Sequence, residues 1–276
     1  MHSANVKPGL WNIDPWIVAY NCRKYNMPVP VMALPFWEGN GDEAFDVSGH
    51  GNNGTLVGVP EWVGGAAGLE FNGSSDYITV PNHGSIDISG TNTHISMSAE
   101  IKYSTTSIIA DKDIFGKWNP DTSQRQYRMD IDDSDGERLK LWLSSDGTNY
   151  SSLYGNTDIV DGKLHRCVCT YDGIYMRVYV DGLLDANPLA YSNGIASTSC
   201  NLTVGVRSDL ERFFGGLINN PILWNACLTP YQVQFLNTYP YFMYQVPQEL
   251  YGQPLAAPAG VTIPVFMQHY KQMMGA

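Results

Sequence analysis

The sequence is short of charge, and of positive charge above all. Lys and Arg number 16 against 27 Asp and Glu in 276 residues, which leaves a formal net charge of −11. Charged residues make up 16% of the chain, against about 25% in an average globular protein. A chain this acidic repels phosphate backbones, so we expect no nucleic acid partner. No run of about 18 apolar residues is present, so we expect no membrane insertion.

Cysteine is also scarce, and its distribution argues against disulfides. Five scattered cysteines, an odd number, are typical of a protein kept in a reducing compartment: Cys22, Cys167, Cys169, Cys200 and Cys227. Because Cys167 and Cys169 lie two apart in a strand-like run, we expect small buried hydrophobic side chains rather than a redox or metal pair. Asn12 and Asp14 interrupt the apolar residues near the N-terminus, which predicts synthesis in the cytoplasm without a secretory signal.

Short β-type runs separated by Gly, Asn and Asp fill residues 39–239, a pattern typical of an all-β sandwich. Asp-Gly pairs at Asp135, Asp172 and Asp181 predict tight hairpin turns. In residues 95–101 apolar and polar side chains alternate, so one face of this strand should be core and the other solvated. The same alternation predicts a core formed by Leu69, Phe71, Tyr77, Ile78, Val80, Ile95, Met97, Ile101, Leu141, Val168, Val178, Val180, Val204, Ile218 and Leu223.

The end of this region and its two flanks differ from the strand-rich part. Thr229 and Gln232 form a capping box around Pro230, which predicts one short C-terminal helix that closes the sandwich. Residues 1–38 and 240–276 combine aromatic side chains with regularly spaced prolines and show neither strand nor helix periodicity. We therefore expect two extended arms. Arms so rich in aromatics must dock, either on their own sandwich or on another subunit, and the second alternative predicts a homo-oligomer.

Six segments in order resemble laminin-G-like domains of the concanavalin A-like lectin/glucanase superfamily. They are Phe45–Thr55, Gly68–Pro81, Gly162–Gly173, Tyr179–Gly182, Phe214–Asn219 and Leu223–Gln232. The resemblance implies a two-sheet antiparallel jelly-roll sandwich, in agreement with the strand pattern. The aromatic and proline-rich C-terminal run, with its His269–Lys271 segment, resembles phage-encoded proteins that carry this domain. That second resemblance implies a virion-associated protein with other virion proteins as partners.

The family resemblance also raises a metal question, because members of this superfamily often bind calcium between the opening loop and the closing strand. Asp46 matches the first element, whereas Asn219 stands where the closing Asp is expected. An amide oxygen still ligates Ca²⁺, though it lacks the charge of a carboxylate. Two alternatives follow: Ca²⁺ held by Asp46, Asn219 and loop carbonyls, or a metal-free hydrogen-bonded joint.

Catalytic residues are not evident in the sequence. Hydrolases that resemble laminarinases carry a Glu-x-Asp-x-x-Glu strand, and the nearest segment here, residues 130–137, lacks both glutamates at that spacing. Asp130 and Asp132 share the face opposite Met129 and Ile131, so we expect solvated outward side chains. His165 lies at a strand start, where we expect a structural role. We therefore predict that the protein is not an enzyme.

Glycan binding is the function that the remaining residues favour. Lectins of this fold stack an aromatic side chain on a sugar and use amides to bind its hydroxyls. The candidates here are Trp118, Trp142, Asn149, Tyr150 and Tyr154. Trp142 lies opposite the apolar face of its strand, so it is either exposed for binding or covered by a neighbouring loop or subunit. The predicted function is a non-enzymatic structural or attachment protein of a virion surface or tail, with a free soluble lectin and then a glycoside hydrolase as alternatives.

Overall fold

The structure, a computed structural model, describes residues 13–64, 68–103, 112–133 and 136–245. Its helices are α1 (Pro15–Lys24) and α2 (Pro230–Thr238), followed by a 3-10 turn at Phe242–Tyr244. None of the helices in these ranges has the length and apolar character needed to cross a bilayer. The strands are β1 (Met32–Ala33), β2 (Glu43–Ala44), β3 (Gly54–Val57), β4 (Glu61–Val63), β5 (Gly68–Asn72), β6 (Tyr77–Val80), β7 (Ile95–Tyr103), β8 (Lys112–Asn119), β9 (Gln124–Ile131), β10 (Arg138–Leu143), β11 (Ser151–Asp158), β12 (His165–Tyr171), β13 (Tyr175–Val180), β14 (Leu183–Leu184), β15 (Leu189–Ala190), β16 (Leu202–Val204) and β17 (Gly215–Trp224).

The strands form two antiparallel sheets that pack face to face. The front sheet has the order β11-β10-β9-β8-β16-β6-β3-β2, and β11 is one of its edges. The back sheet has the order β14-β13-β12-β7-β17-β5-β4, with β1 beside β17 and β15 beside β13. Neighbours in space are often distant in sequence, as in a jelly roll. The predicted all-β sandwich is confirmed.

The core lies between the two sheets, where the apolar members of each strand meet. Every predicted core residue is buried except Tyr77, which is half-buried. Val168 is buried on the outer face of the back sheet, so it contributes to a different apolar cluster. Cys167 and Cys169 are buried without disulfides and belong to the inter-sheet core, as predicted from their spacing.

The tight turn at Asp181 and the cap of α2 are confirmed, whereas β12 and β13 are joined by a three-residue loop in which only Gly173 has a positive φ. Asp181 and Gly182 join β13 to β14 with φ of 50° and 83°, the two positive angles that a type I′ hairpin turn requires. At the start of α2, Thr229 Oγ1 accepts a hydrogen bond from the Gln232 backbone, and Gln232 Oε1 accepts one from the Thr229 backbone. Asp135 lies outside the described residues.

The N-terminal flank contains a helix that the sequence analysis did not predict. α1 follows Asp14, whose carboxylate accepts a hydrogen bond from the backbone N–H of Trp16 at 3.1 Å, and Pro15 opens its first turn. Arg23 and Lys24 lie in the last turn, where cations favour the helix dipole. The expectation of an extended N-terminal arm is wrong for these residues. A side-chain cap and an initial proline begin a helix here, as they do in α2.

The two flanks cover the outer face of the back sheet. Their helices and the 3-10 turn pack on β12, β13 and β17 in a second apolar cluster: Ile13, Ile17, Val18, Cys22, Met27, Ala33, Val47, Val168, Tyr179, Ile222, Trp224, Leu228, Val233, Leu236, Phe242, Met243 and Tyr244. Ser96, Ser98 and Glu100 are buried beneath this layer. The expectation of a solvated face on β7 is therefore wrong, because the flanks add a third layer to the sandwich.

Both flanks pack on the sandwich of their own chain, as far as they are described. Trp224 Nε1 donates to the carbonyl of Pro28 at 3.1 Å. Asn21 Nδ2 donates to the carbonyls of Met243 at 3.2 Å and Gln245 at 2.7 Å, which joins the two flanks. These contacts correspond to the intramolecular alternative for the arms. Residues 1–12 and 246–276, with the remainder of both predicted arms, lie outside the described residues.

Candidate functional site

The outer face of the front sheet is formed by strand alternation in β9 and β10. The apolar members of both strands point into the core, so Arg128, Asp130, Lys140 and Trp142 point outwards. The strand register places Arg128 opposite Trp142 and Asp130 opposite Lys140. Two cations, a carboxylate and an indole thereby meet as direct cross-strand neighbours.

A network of buried ion pairs occupies this outer face. Arg128 donates from Nε and Nη2 to the two carboxylate oxygens of Asp113, at 2.6 and 2.7 Å, and Nη2 also lies 2.6 Å from Oδ2 of Asp130. Lys140 Nζ donates to Oδ1 of Asp132 at 2.9 Å. All five residues are at most 3% exposed. Bidentate pairing of this kind fixes both partners in one geometry.

This network corrects one expectation. Asp130 and Asp132 point away from the core as alternation requires, yet they are 0% and 1% exposed rather than solvated. The reason is that long cationic side chains from the same sheet pair with them. Alternation identifies the face of a residue but not what covers that face.

Trp142 is held in place by the charged side chains around it. Its Nε1 donates to both carboxylate oxygens of Asp130, each at 3.0 Å. The Lys140 ammonium lies 4.0 Å from the centroid of its ring, and the Arg128 guanidinium carbon lies at 5.3 Å. Such cation–π contacts strengthen when desolvated. Trp142 is half-buried, so it is neither fully exposed nor fully covered.

Four of the five predicted glycan-binding residues lie together on this face and are called the aromatic cluster: Trp118, Trp142, Tyr150 and Tyr154. Ring centroids are 5.9 Å apart for Trp118 and Trp142, 5.8 Å for Trp118 and Tyr150, and 4.8 Å for Trp142 and Tyr150. Tyr154 lies opposite Lys140, whose ammonium is 4.2 Å from its ring. Trp118 is 3% exposed, whereas Tyr150 and Tyr154 are 54% and 40% exposed.

Asn149, the fifth predicted residue, belongs to the turn that precedes Tyr150. Its backbone N–H and its side-chain Nδ2 both donate to Asp146, each at 2.7 Å. Its carbonyl accepts from the hydroxyl of Ser144. These contacts fix the turn between β10 and β11. A direct role of Asn149 in binding sugar hydroxyls stays a prediction.

A polar groove that the sequence analysis missed lies on the same face of the front sheet. It has a volume of about 420 Å³, and Thr79, Asn119, Gln124, Asn201 and Thr203 are among its lining residues. Strand register connects the groove to the aromatic cluster, because Thr79, Thr203, Gly116, Arg128 and Trp142 are successive cross-strand partners. The signal in the sequence was a lone threonine between apolar residues in both β6 and β16.

The first residue of the expected calcium site, Asp46, organises the loop after β2. Its Oδ1 accepts from the backbone N–H groups of Ala33 and Ser48, both at 2.9 Å. Its Oδ2 accepts from the Ser48 hydroxyl at 2.8 Å and from the backbone N–H of Asn52 at 2.9 Å. Four donors therefore point at the carboxylate oxygens that a cation would need.

The second residue, Asn219, belongs to a buried network on the outer face of the back sheet. Its Nδ2 donates to Oε2 of Glu100 at 3.0 Å and to the hydroxyl of Tyr241 at 2.9 Å, and Glu100 also pairs with Arg166. Burial, together with the adjacent Glu100, raises the pKa of Tyr241. Asn219 shares none of these partners with Asp46. A Ca²⁺ shared by the two residues stays a prediction.

His165 joins two turns at one end of β12. Its Nδ1 lies 2.8 Å from Oδ2 of Asp181, and its Nε2 lies 3.0 Å from Oδ1 of Asp161. Burial lowers the pKa of His165, but hydrogen bonds to the two carboxylates outweigh it and place the pKa above its ordinary value. Over the described ranges, no group of three or more His, Cys, Asp or Glu side chains has the arrangement of a metal site.

Comparison with known proteins identifies the family. Residues 72–234, more than half of the chain, match a laminin G-like family model described as the concanavalin A-like lectin/glucanases superfamily. The chain belongs to the concanavalin A-like lectin/glucanase superfamily. The sequence-based resemblance to this superfamily is thereby confirmed. No curated protein sequence matches the chain significantly.

Solved structures of this fold include receptor-binding domains of botulinum neurotoxins. That of the C/D mosaic serotype has a TM-score of 0.58 and 16% identity over 76% of this chain and 51% of that one. The serotype DC domain, solved with rat synaptotagmin II, has a TM-score of 0.58 and 13% identity over 76% and 51%. A type C structure is described by the dependence of cell entry on two ganglioside molecules. It has a TM-score of 0.58 and 14% identity over 79% of this chain and 52% of that one. The chain spans about half of their length, and the likeness shows the fold.

Proposed function

We propose that this protein is a non-enzymatic glycan-binding module whose binding surface is the aromatic cluster. The observation that carries the proposal is the exposure of Tyr150 and Tyr154, at 54% and 40%, above a buried Trp118 and a half-buried Trp142. Exposed rings of fixed orientation are what stacking against the apolar face of a sugar requires. Such a surface loses little conformational freedom when a ligand binds.

The neighbouring polar groove supports the same function. Threonine hydroxyls and the amides of Asn119, Gln124 and Asn201 line it, and these groups both donate and accept hydrogen bonds. Sugar hydroxyls have the same dual character. A surface that combines stacking rings with hydroxyl and amide groups suits glycans better than purely apolar ligands.

The absence of catalysis is part of the proposal. A retaining glycosidase holds two carboxyl groups about 5–5.5 Å apart and uses one of them as an acid. The carboxylates on the front-sheet outer face, Asp113, Asp130 and Asp132, are instead buried in pairs with Arg128 and Lys140. That arrangement supports a structural role in fixing the aromatic cluster.

Attachment, the role favoured by the sequence, is compatible with this proposal. The toxin domains of the same fold are described as receptor-binding, and the type C protein depends on two gangliosides for cell entry. The family description names no source, and these structures are toxin domains. A virion context and partners within a virion therefore rest on the C-terminal sequence alone.

A glycan array tests the proposal directly. The full chain should bind a defined set of glycans, and the double variant Tyr150→Ala/Tyr154→Ala should lose that binding. The matched control is Tyr231→Ala/Tyr239→Ala, because these tyrosines are 74% and 55% exposed in and beside α2. It should bind like the wild type. Binding that survives loss of the cluster tyrosines, or no binding to any glycan, contradicts the proposal.

A further inference from the structure

We infer that the aromatic cluster takes an extended, neutral oligosaccharide that lies along β11 and stacks on Tyr150 and Tyr154. This inference rests on the proposed glycan-binding function and specifies its ligand class. Tyr150 immediately precedes β11 and Tyr154 lies within it. Because side chains four residues apart in an extended segment share a face, their Cα atoms are about 13 Å apart on the outer face. Two tyrosines at this spacing suit successive sugar rings of an oligosaccharide.

The surface between the two tyrosines is continuous. Ser152 lies directly opposite Trp142, so Trp142 is the diagonal neighbour of both Tyr150 and Tyr154. The Lys140 ammonium lies between the Trp142 and Tyr154 rings, at 4.0 and 4.2 Å from their centroids. Trp142 in turn contacts Tyr150 with a centroid distance of 4.8 Å. A chain of sugars thus meets an uninterrupted and internally braced surface from one tyrosine to the other.

The charges of this surface favour a neutral ligand. The two cations at the Trp142 ring are matched by carboxylates, Lys140 by Asp132 and Arg128 by Asp113 and Asp130. Arg125, whose guanidinium carbon lies 5.8 Å from the centroid of the Tyr150 ring, adds one further cation at that end of the surface. Asp146, in the turn before Tyr150, is exposed, and the whole chain has a formal charge of −11. A sugar acid or sulfated sugar would be repelled by this field, whereas an uncharged sugar would not.

The edge position of β11 makes a peptide ligand less suitable than a glycan. An edge strand ordinarily offers backbone groups to an incoming strand. Here the carboxylate of Asp185 accepts from the backbone N–H groups of Asn156 and Thr157, at 2.8 and 3.1 Å, just beyond Tyr154. The end of the edge next to Tyr154 is therefore already hydrogen-bonded, which leaves a shorter edge for an incoming strand.

The test uses the full chain on an array of neutral glycans graded from monosaccharides to hexasaccharides, with sialylated and sulfated counterparts. We expect binding to rise with chain length and to favour the neutral series. Tyr150→Ala and Tyr154→Ala should each weaken binding of the longer glycans about tenfold. Tyr154→Phe, which keeps the ring, should bind like the wild type, as should the control Tyr231→Ala.

The outcomes separate this inference from the function on which it rests. Binding to monosaccharides as strong as to longer glycans overturns the extended site but leaves glycan binding intact. A preference for the sialylated or sulfated series overturns the neutral ligand class. Loss of binding in only one of the two tyrosine variants overturns the two-platform arrangement. No binding to any glycan refutes the proposed function and this inference together.

Discussion

The outer faces of the two sheets are shielded from solvent in different ways. The back sheet is covered by other parts of the chain, with α1, α2 and the 3-10 turn packed over Trp224 and its neighbours. The front sheet is closed by its own side chains, through ion pairs around Arg128 and Lys140. Where the chain covers the back sheet, the outward side chains of that sheet, such as Trp224, are buried. A face closed by side chains keeps its outermost rings, Tyr150 and Tyr154, exposed.

Because of this difference, the buried residues of the back sheet and those of the front sheet contribute differently to stability and to binding. Burying apolar side chains under a third layer contributes stability, because it removes area from water. Burying ion pairs contributes little net stability, because desolvation offsets their attraction, but it fixes geometry. We therefore assign the back-sheet cover to folding and the front-sheet network to organising a binding surface.

Two tryptophan variants test this division with the largest expected effect. Trp224 is fully buried beneath the flanks, so Trp224→Ala should reduce the free energy of unfolding by about 3–5 kcal/mol. Trp142 is only half-buried, so Trp142→Ala should reduce it by clearly less while abolishing glycan binding. Urea denaturation and the glycan array measure the two quantities. Equal losses of stability would remove the distinction between the faces.

Removing the central cation of the ion-pair network should reduce the free energy of unfolding by nearly as much. Arg128→Met leaves the buried carboxylates of Asp113 and Asp130 without their common partner, and we expect a loss of about 3 kcal/mol in urea denaturation. The double variant Arg128→Met/Asp113→Leu removes one of these charges and should recover part of the loss. If the single variant is as stable as the wild type, the ion pairs do not organise this face.

A smaller effect is expected in the network on the back sheet. Asn219→Asp removes an amide that donates to Glu100 and Tyr241 and puts a carboxylate beside Glu100. We expect a loss of about 1–3 kcal/mol, partly recovered by Asn219→Asp/Glu100→Gln. Thermal denaturation with millimolar Ca²⁺ should leave the Tm of the wild type unchanged. A rise in Tm that Asp46→Ala abolishes would instead establish the calcium site.

The smallest effect concerns His165 and pH. Although burial lowers the pKa of His165, hydrogen bonds to Asp181 and Asp161 raise it above the ordinary value of 6.5. The stabilisation is therefore fully present below pH 6.5 and is lost as pH rises through the folded-state pKa. The stability difference between wild type and His165→Gln should shrink over that range. A difference that grows with pH would show that the imidazole is neutral in the fold.

The sequence was informative wherever a local rule decides the structure. Alternation placed Phe71 and Met97 in the core, and the capping box located the start of α2 at Thr229. Asp14 and Pro15 carried the same kind of start signal for α1, but the surrounding prolines favoured an extended arm. The start of α1 could therefore have been predicted from its capping residues.

The candidate site was only partly predictable. Alternation placed Trp142 outside the core, and proximity in sequence grouped Tyr150 with Tyr154. The pairing of Asp113 with Arg128 depends on the register between β8 and β9, which shifts at an irregularity beside Asp113. Such a shift has no reliable signature in a single sequence, because it depends on contacts between strands. Hence the aromatic residues were predicted, whereas the ion pairs that position them were not.

The position of the ligand can be seen in a crystal structure of the full chain with the longest neutral glycan that binds on the array. We expect sugar rings stacked on Tyr150 and Tyr154, with the chain of sugars running along β11 and the ion pairs of Arg128 and Lys140 unchanged. Density for the glycan at another surface, such as the loop around Asp46 or the helices over the back sheet, would contradict this expectation.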